Sequence, residues 1–143
     1  MKKLLTFLLA LAIFNSCKSD EGAVNYYNFN VKLVGTSEFP PTASAATGTF
    51  VAQYYKATRV LTYTITFKDI TPNAWHIHKG AIGTTGAIIF NFGSTFSNPY
   101  TATTVSLTTD QEKDLLAGNY YVNIHSALYT NGEIRGQLIA EVE

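Results

Sequence analysis

Cysteine is almost missing from this chain: among 143 residues there is one, Cys17. No disulfide can form within a single copy, so stability has to come from the core. Charge is scarce as well, at 14% of residues, and balanced, with ten basic and ten acidic side chains. A nucleic-acid binder would carry a basic patch, and none is visible. The sequence contains no G-x-S-x-G elbow, no phosphate-binding loop and no spaced acid pair of the kind glycoside hydrolysis uses. The one sustained apolar run, Leu4 to Phe14, is shorter than the ~20 residues that cross a bilayer.

That run follows Lys2 and Lys3 and reads as a secretory signal peptide over residues 1–16. It ends in Phe14-Asn15-Ser16-Cys17, which resembles a bacterial lipobox with Phe14 where a branched aliphatic residue usually stands. The resemblance implies cleavage before Cys17, lipidation of its thiol, and a secreted protein anchored by lipid in the cell envelope, at the outer membrane. Lys18-Ser19-Asp20-Glu21 is similar to the surface-export signals of Bacteroidetes lipoproteins. An ordinary signal peptide with a chance cysteine is the other reading. Residues 17–25 would then be lipidated cysteine plus polar tether, and residues 26–143 one domain. Losing Lys2 and Lys3 with the signal leaves eight basic side chains against the ten acidic ones.

From Tyr26 onward tyrosine, phenylalanine, threonine, valine and isoleucine dominate, in short runs divided by turn residues. This is the pattern of an all-β sandwich or barrel. Strands are expected at 27–34, 49–55, 60–67, 74–79, 87–92, 100–107, 120–126 and 134–142. Pro40-Pro41 keeps 35–47 a loop, and Asn131-Gly132 marks a hairpin turn. A short helix is expected over 107–116, with Thr109 and Glu112 at capping-box spacing and Gly118 as its stop.

Trp75-His76-Ile77-His78-Lys79-Gly80 holds two of the three histidines. Side chains alternate along a strand, so with Trp75 and Ile77 in the core, His76 and His78 share the opposite face. By the same test Val122 and Ile124 turn inward, and Asn123 and His125 outward. Ile134 and Leu138 turn inward, and Glu133, Arg135 and Gln137 outward. Two imidazoles two residues apart on one strand, with a third from a neighbour, can share one ion, and neutral imidazole suits zinc, copper and iron. Exposed histidines without a role are the alternative. Glu133 and Arg135 would then be a surface ion pair of little energetic weight. Tyr26-Tyr27 and Tyr120-Tyr121 read as packing residues, and Glu38-Phe39-Pro40-Pro41 as a rigid loop.

Together, Gly35-Thr36-Ser37-Glu38-Phe39-Pro40-Pro41, Ala46-Thr47-Gly48, His76-Ile77-His78-Lys79-Gly80, Gly83 with Gly86, the stretch Gly118 to His125 and the stretch Gly132 to Leu138 resemble the CHRD domain family, named for chordin. The resemblance spans about residues 28–140 and implies an all-β extracellular domain, without an established enzymatic activity. More distantly, the layout is similar to copper–zinc superoxide dismutase, which implies a Greek-key β-sandwich of about eight antiparallel strands. By position, that likeness puts His76, His78 and His125 on three copper ligands and Arg135 on the anion-guiding arginine. A bridging histidine, the zinc loop and the disulfide pair have no counterpart here.

The expected protein is therefore a lipid-anchored binding or interaction module, with an extracellular protein or glycan as partner. It would hold one copper or zinc ion at His76, His78 and His125, with Asn123, Glu133, Arg135 and Gln137 around the rings. A copper-dependent redox enzyme and a purely structural envelope domain are the two other readings.

Overall fold

A computed structural model describes residues 25–141. The signal segment, Cys17, most of the tether and the last two residues lie outside the described residues. The chain forms β1 (Tyr26–Val34), β2 (Thr47–Tyr55), β3 (Val60–Lys68), β4 (Pro72–Lys79), β5 (Ile88–Asn91), β6 (Tyr100–Thr103), α1 (Thr109–Leu116), β7 (Tyr120–Ser126) and β8 (Ile134–Gln137). All eight strands are expected from the sequence, and all pair antiparallel in the order β5-β4-β7-β8-β1-β2-β3-β6.

The two layers of the sandwich are one sheet folded over. β1 and β8 pair only at Val34 and Arg135, so the joint between the halves is narrow. Gly136 makes the fold there tight, because a Cβ would collide with Val31 and the Lys32 carbonyl. At the far edges, Tyr100 donates its hydroxyl to the Phe92 carbonyl at 3.1 Å, and Tyr63 meets Phe90 edge-on. Strict alternation fills the space between: Phe29, Val31 and Leu33 from β1, Phe50, Ala52 and Tyr54 from β2, Leu61, Tyr63 and Ile65 from β3. From the other half come Trp75, Ile77, Val122, Ile124 and Ile134.

Several strand ends shift by one or two residues, β2 and β4 starting earlier than expected, and the differences at β6, the helix and β8 bear most on the connections. β6 stops at Thr103 because Thr104 turns in to accept the Leu61 N–H, after which the chain leaves for the helix. The helix is capped one residue earlier than its spacing suggested: Thr108 accepts the Gln111 N–H, and Gln111 accepts the Thr108 N–H. Gly118, with φ +72°, stops it as expected; the Gly118 and Asn119 amides bond back to Leu115 and Asp114. β8 ends at Gln137, although Leu138 still donates to Tyr120.

The largest departure concerns the outer face of β4, β7 and β8. Alternation turned His76, His78, Asn123, His125, Glu133 and Arg135 away from the apolar core, and so they are, but none is exposed. Three connecting segments, 35–46, 80–86 and 127–133, fold back over that face and roof it. Thr42 and Ser44 donate to the backbone and side chain of Glu133. Arg135 donates to Thr84 and Ala81. This half of the sheet thus has an apolar layer on one side and an enclosed polar layer on the other, whereas the outer face of β1 and β2 stays exposed.

Candidate metal centre

β4 and β7 are neighbours, and their register sets Ala74 opposite His125, His76 opposite Asn123, and His78 opposite Tyr121. His76 and His78 share a face of β4, and His125 lies diagonally across from His76 on the same face. The rings of His76 and His125 are 5.1 Å apart between centres, and those of His76 and His78 are 5.4 Å apart. One ligand-capable nitrogen from each of the three lies within 4.8 Å of the others. The closest pair, His76 Nδ1 and His125 Nε2, is 3.2 Å apart. A shared ion at ~2.0–2.1 Å from each nitrogen needs nitrogens ~3.3–3.6 Å apart. That pair is within about 0.1 Å of this spacing, and ring rotation has to bring the third nitrogen in.

Backbone carbonyls fix the tautomers. His78 Nδ1 sits 2.9 Å from the Gly86 carbonyl, and His125 Nδ1 sits 2.9 Å from the Thr130 carbonyl. A carbonyl only accepts, so both Nδ1 atoms carry the proton, and in a neutral ring each Nε2 presents its lone pair. With its proton on Nδ1, His125 Nε2 accepts from His76 Nδ1 and lies 3.1 Å from the Asn123 amide oxygen, a contact between two acceptors that is no hydrogen bond in this tautomer. His78 Nε2 is buried and makes no hydrogen bond of good geometry among the described residues, although the Asn123 amide lies near enough to favour its charged form. Such an orphan is costly to leave unmade, and a bound cation would satisfy it.

Burial keeps the two β4 rings neutral. It lowers His76 to about 4, with help from His125 and His78, and it also lowers His78. A metal ligand must be deprotonated, so both rings are ready for coordination near neutral pH.

Of the four residues expected around the rings, only Asn123 touches one. Glu133 is occupied by Ser44 at 2.6 Å and does not pair with Arg135. Gln137 donates to the Gly80 and Gly118 carbonyls. Arg135, 2% exposed, donates to Thr84, Ala81 and Gln137, and has no carboxylate within ion-pairing distance among the described residues. The expected surface pair of Glu133 and Arg135 is therefore absent: burial gave each a different partner.

Two residues of this layer were read differently in the sequence. Tyr121 is more than packing: it stacks flat on His78 with centres 4.9 Å apart, and the Arg135 guanidinium lies over the same Tyr121 ring at 3.3 Å. Glu38, placed in a rigid loop, is buried in the same layer with Oε1 unpartnered. Desolvation raises its pKa to about 7, outweighing the nearby charge of Arg135. The family-like stretch around Glu38 was the only sequence signal for it. Tyr121 had one too, since it alternates with Asn123 and His125.

The raised Glu38 has a testable consequence. Between pH 4.5 and about 7 the folded chain holds a proton there that the unfolded chain releases. This contribution to stability is therefore full below 4.5 and is lost as pH rises through 7. Glu38→Gln removes it. Relative to wild type, the variant should gain about 3 kcal/mol between pH 4 and pH 8 in urea melts. The histidine contributions, which run the other way, cancel in that difference. Parallel stability curves for the two proteins would rule the raised carboxyl out.

Comparison with protein-family models matches residues 29–138 to the CHRD domain. No curated protein and no solved structure matches the chain.

Proposed function

The chain belongs to the CHRD domain family, and from that premise we propose that it is an extracytoplasmic binding module holding one transition-metal ion between His76, His78 and His125. The observation that carries the metal is the ring of His78: its Nε2 is a buried lone pair without a donor, and the ring belongs to a cluster in which one nitrogen from each of three imidazoles lies within 4.8 Å of the others. Three imidazoles with no thiolate favour zinc or copper over magnesium or calcium, which take oxygen ligands. Backbone carbonyls behind two of the rings give the outer hydrogen bonds that orient metal-binding histidines.

Purified protein loaded with zinc or copper and then desalted should retain about one ion per chain by elemental analysis. His78→Ala should retain less than a tenth of that. Wild-type protein that keeps none leaves the purely structural reading in place. The redox reading gains little from Arg135: it is buried, and three of its five N–H donors go to the Thr84 and Ala81 carbonyls and to Gln137 rather than to an anion.

Attachment to the envelope through Cys17 rests on the lipobox-like sequence alone. Palmitate labelling that persists in Cys17→Ser would remove it. With the anchor in place, the partner of such a module is an extracellular protein or glycan.

A further inference from the structure

The 80–86 segment is tied to backbone at its two ends, by the Gly80 N–H on the Asn119 carbonyl and the Lys79 N–H on the Ala87 carbonyl, and between them it is held by side chains from the sheet beneath it. Arg135 Nη1 donates to the Thr84 carbonyl at 2.6 Å, and Nη2 donates to the Ala81 carbonyl at 3.0 Å. Gln137 Nε2 holds the Gly80 carbonyl at 2.8 Å, and Gln137 Oε1 accepts from Arg135 at 3.2 Å. The same segment ends in Gly86, whose carbonyl takes the His78 Nδ1 proton. A buried guanidinium normally faces a carboxylate. Here carbonyls take its place, and they all belong to one loop.

We infer that Arg135 is a positioning residue: by clamping the 80–86 loop it fixes the Gly86 carbonyl against His78 Nδ1, and so presents His78 Nε2 as an open donor. This deepens the metal reading and rests on it for its purpose, though not for its geometry. A second route runs in parallel. The guanidinium lies on Tyr121, and Tyr121 lies on His78, so the stack Arg135–Tyr121–His78 sets the plane of the ring while the loop sets its tautomer. The planar fork matters because two carbonyls three residues apart are engaged at once. A lysine ammonium lacks that fixed spacing. Arg135 thus acts from β8 on a ligand of β4 without touching it, across β7, which lies between them.

The test compares wild type, Arg135→Lys and Arg135→Met, each first shown to be folded by circular dichroism. The His78 tautomer is read by nitrogen-detected NMR on metal-free protein, and zinc affinity by competition with a chelator. Wild type should show the Nδ1–H form alone. Arg135→Met should show a mixture of both tautomers and a zinc Kd weaker by about 10- to 100-fold. Arg135→Lys should fall between. Should Arg135→Met not fold, Gln137→Met, which frees the Gly80 end of the loop and keeps the arginine, should give a smaller shift in the same direction. A folded Arg135→Met with His78 wholly Nδ1–H overturns the inference. If that variant does not fold, an unchanged tautomer in both Arg135→Lys and Gln137→Met does so. A tautomer that responds in protein that binds no zinc would keep the clamp and discard the metal.

Discussion

Trp75→Ala should destabilise the protein by about 3–5 kcal/mol, the range for removing a large buried aromatic. Trp75 is fully buried at the centre of β4. Its ring meets Phe67, Phe92, Phe96 and Tyr100, from both halves of the folded sheet, with centres 4.8 to 6.2 Å away. These contacts span the two layers, which the backbone joins only narrowly between β8 and β1. The indole N–H also donates to the Gly93 carbonyl at 3.0 Å, a bond that alanine deletes. With no disulfide to limit the unfolded state, the whole loss should appear in the melt. For a domain of this size it corresponds to a fall in Tm of about 10–20 °C. Trp75→Phe keeps much of the ring contact and should cost less than half as much. A loss below 1 kcal/mol for the alanine variant would mean that the layers are held by something other than this aromatic cluster.

Trp75 and His76 are adjacent, and what could be read from each shows how far the sequence reaches. The period of two in a strand is set by covalent geometry, so Trp75 and Ile77 could be placed inside, and His76, His78, Asn123, His125 and Arg135 on one opposite face. That face exists as read. Its burial was not legible, because burial depends on where the 35–46, 80–86 and 127–133 segments land. Those segments are held by contacts far apart in sequence, such as Ser44 on Glu133 and Arg135 on Thr84. The adjacency of β4 and β7 likewise depends on the fold and not on local pattern. Glu38 was hidden for the same reason: a charged residue beside two prolines reads as a solvated loop until something covers it. The one-residue error at the helix start is of another kind. Thr108 and Thr109 both have a partner three residues on, Gln111 and Glu112, so two capping boxes compete, and the structure uses the first.

Two glycines in the 80–86 loop should respond in opposite ways, and the contrast tests whether the loop belongs to the site. Gly83 has φ +74° and open space around it, so alanine there meets only torsional strain, about 1 kcal/mol, and should leave metal binding unchanged. Gly86 has no such torsion. It lies against the backbone of β4, where a Cβ would overlap the Lys79 carbonyl. Backbone cannot rotate aside as a side chain can, so Gly86→Ala has to lift the loop or break the Lys79 to Ala87 hydrogen bond. Either movement takes the Gly86 carbonyl from His78 and draws the Thr84 and Ala81 carbonyls from Arg135, leaving a buried cation short of acceptors. Breaking the partners of a buried charge costs about 3–5 kcal/mol, and the strand disruption adds to it. Gly86→Ala should therefore lose more than about 4 kcal/mol in urea denaturation. Any fraction that still folds should have lost the Nδ1–H tautomer of His78 and at least tenfold in zinc affinity. A Gly86→Ala protein as stable as wild type would show that the loop is free to move off the sheet, and that the ring of His78 is oriented without it.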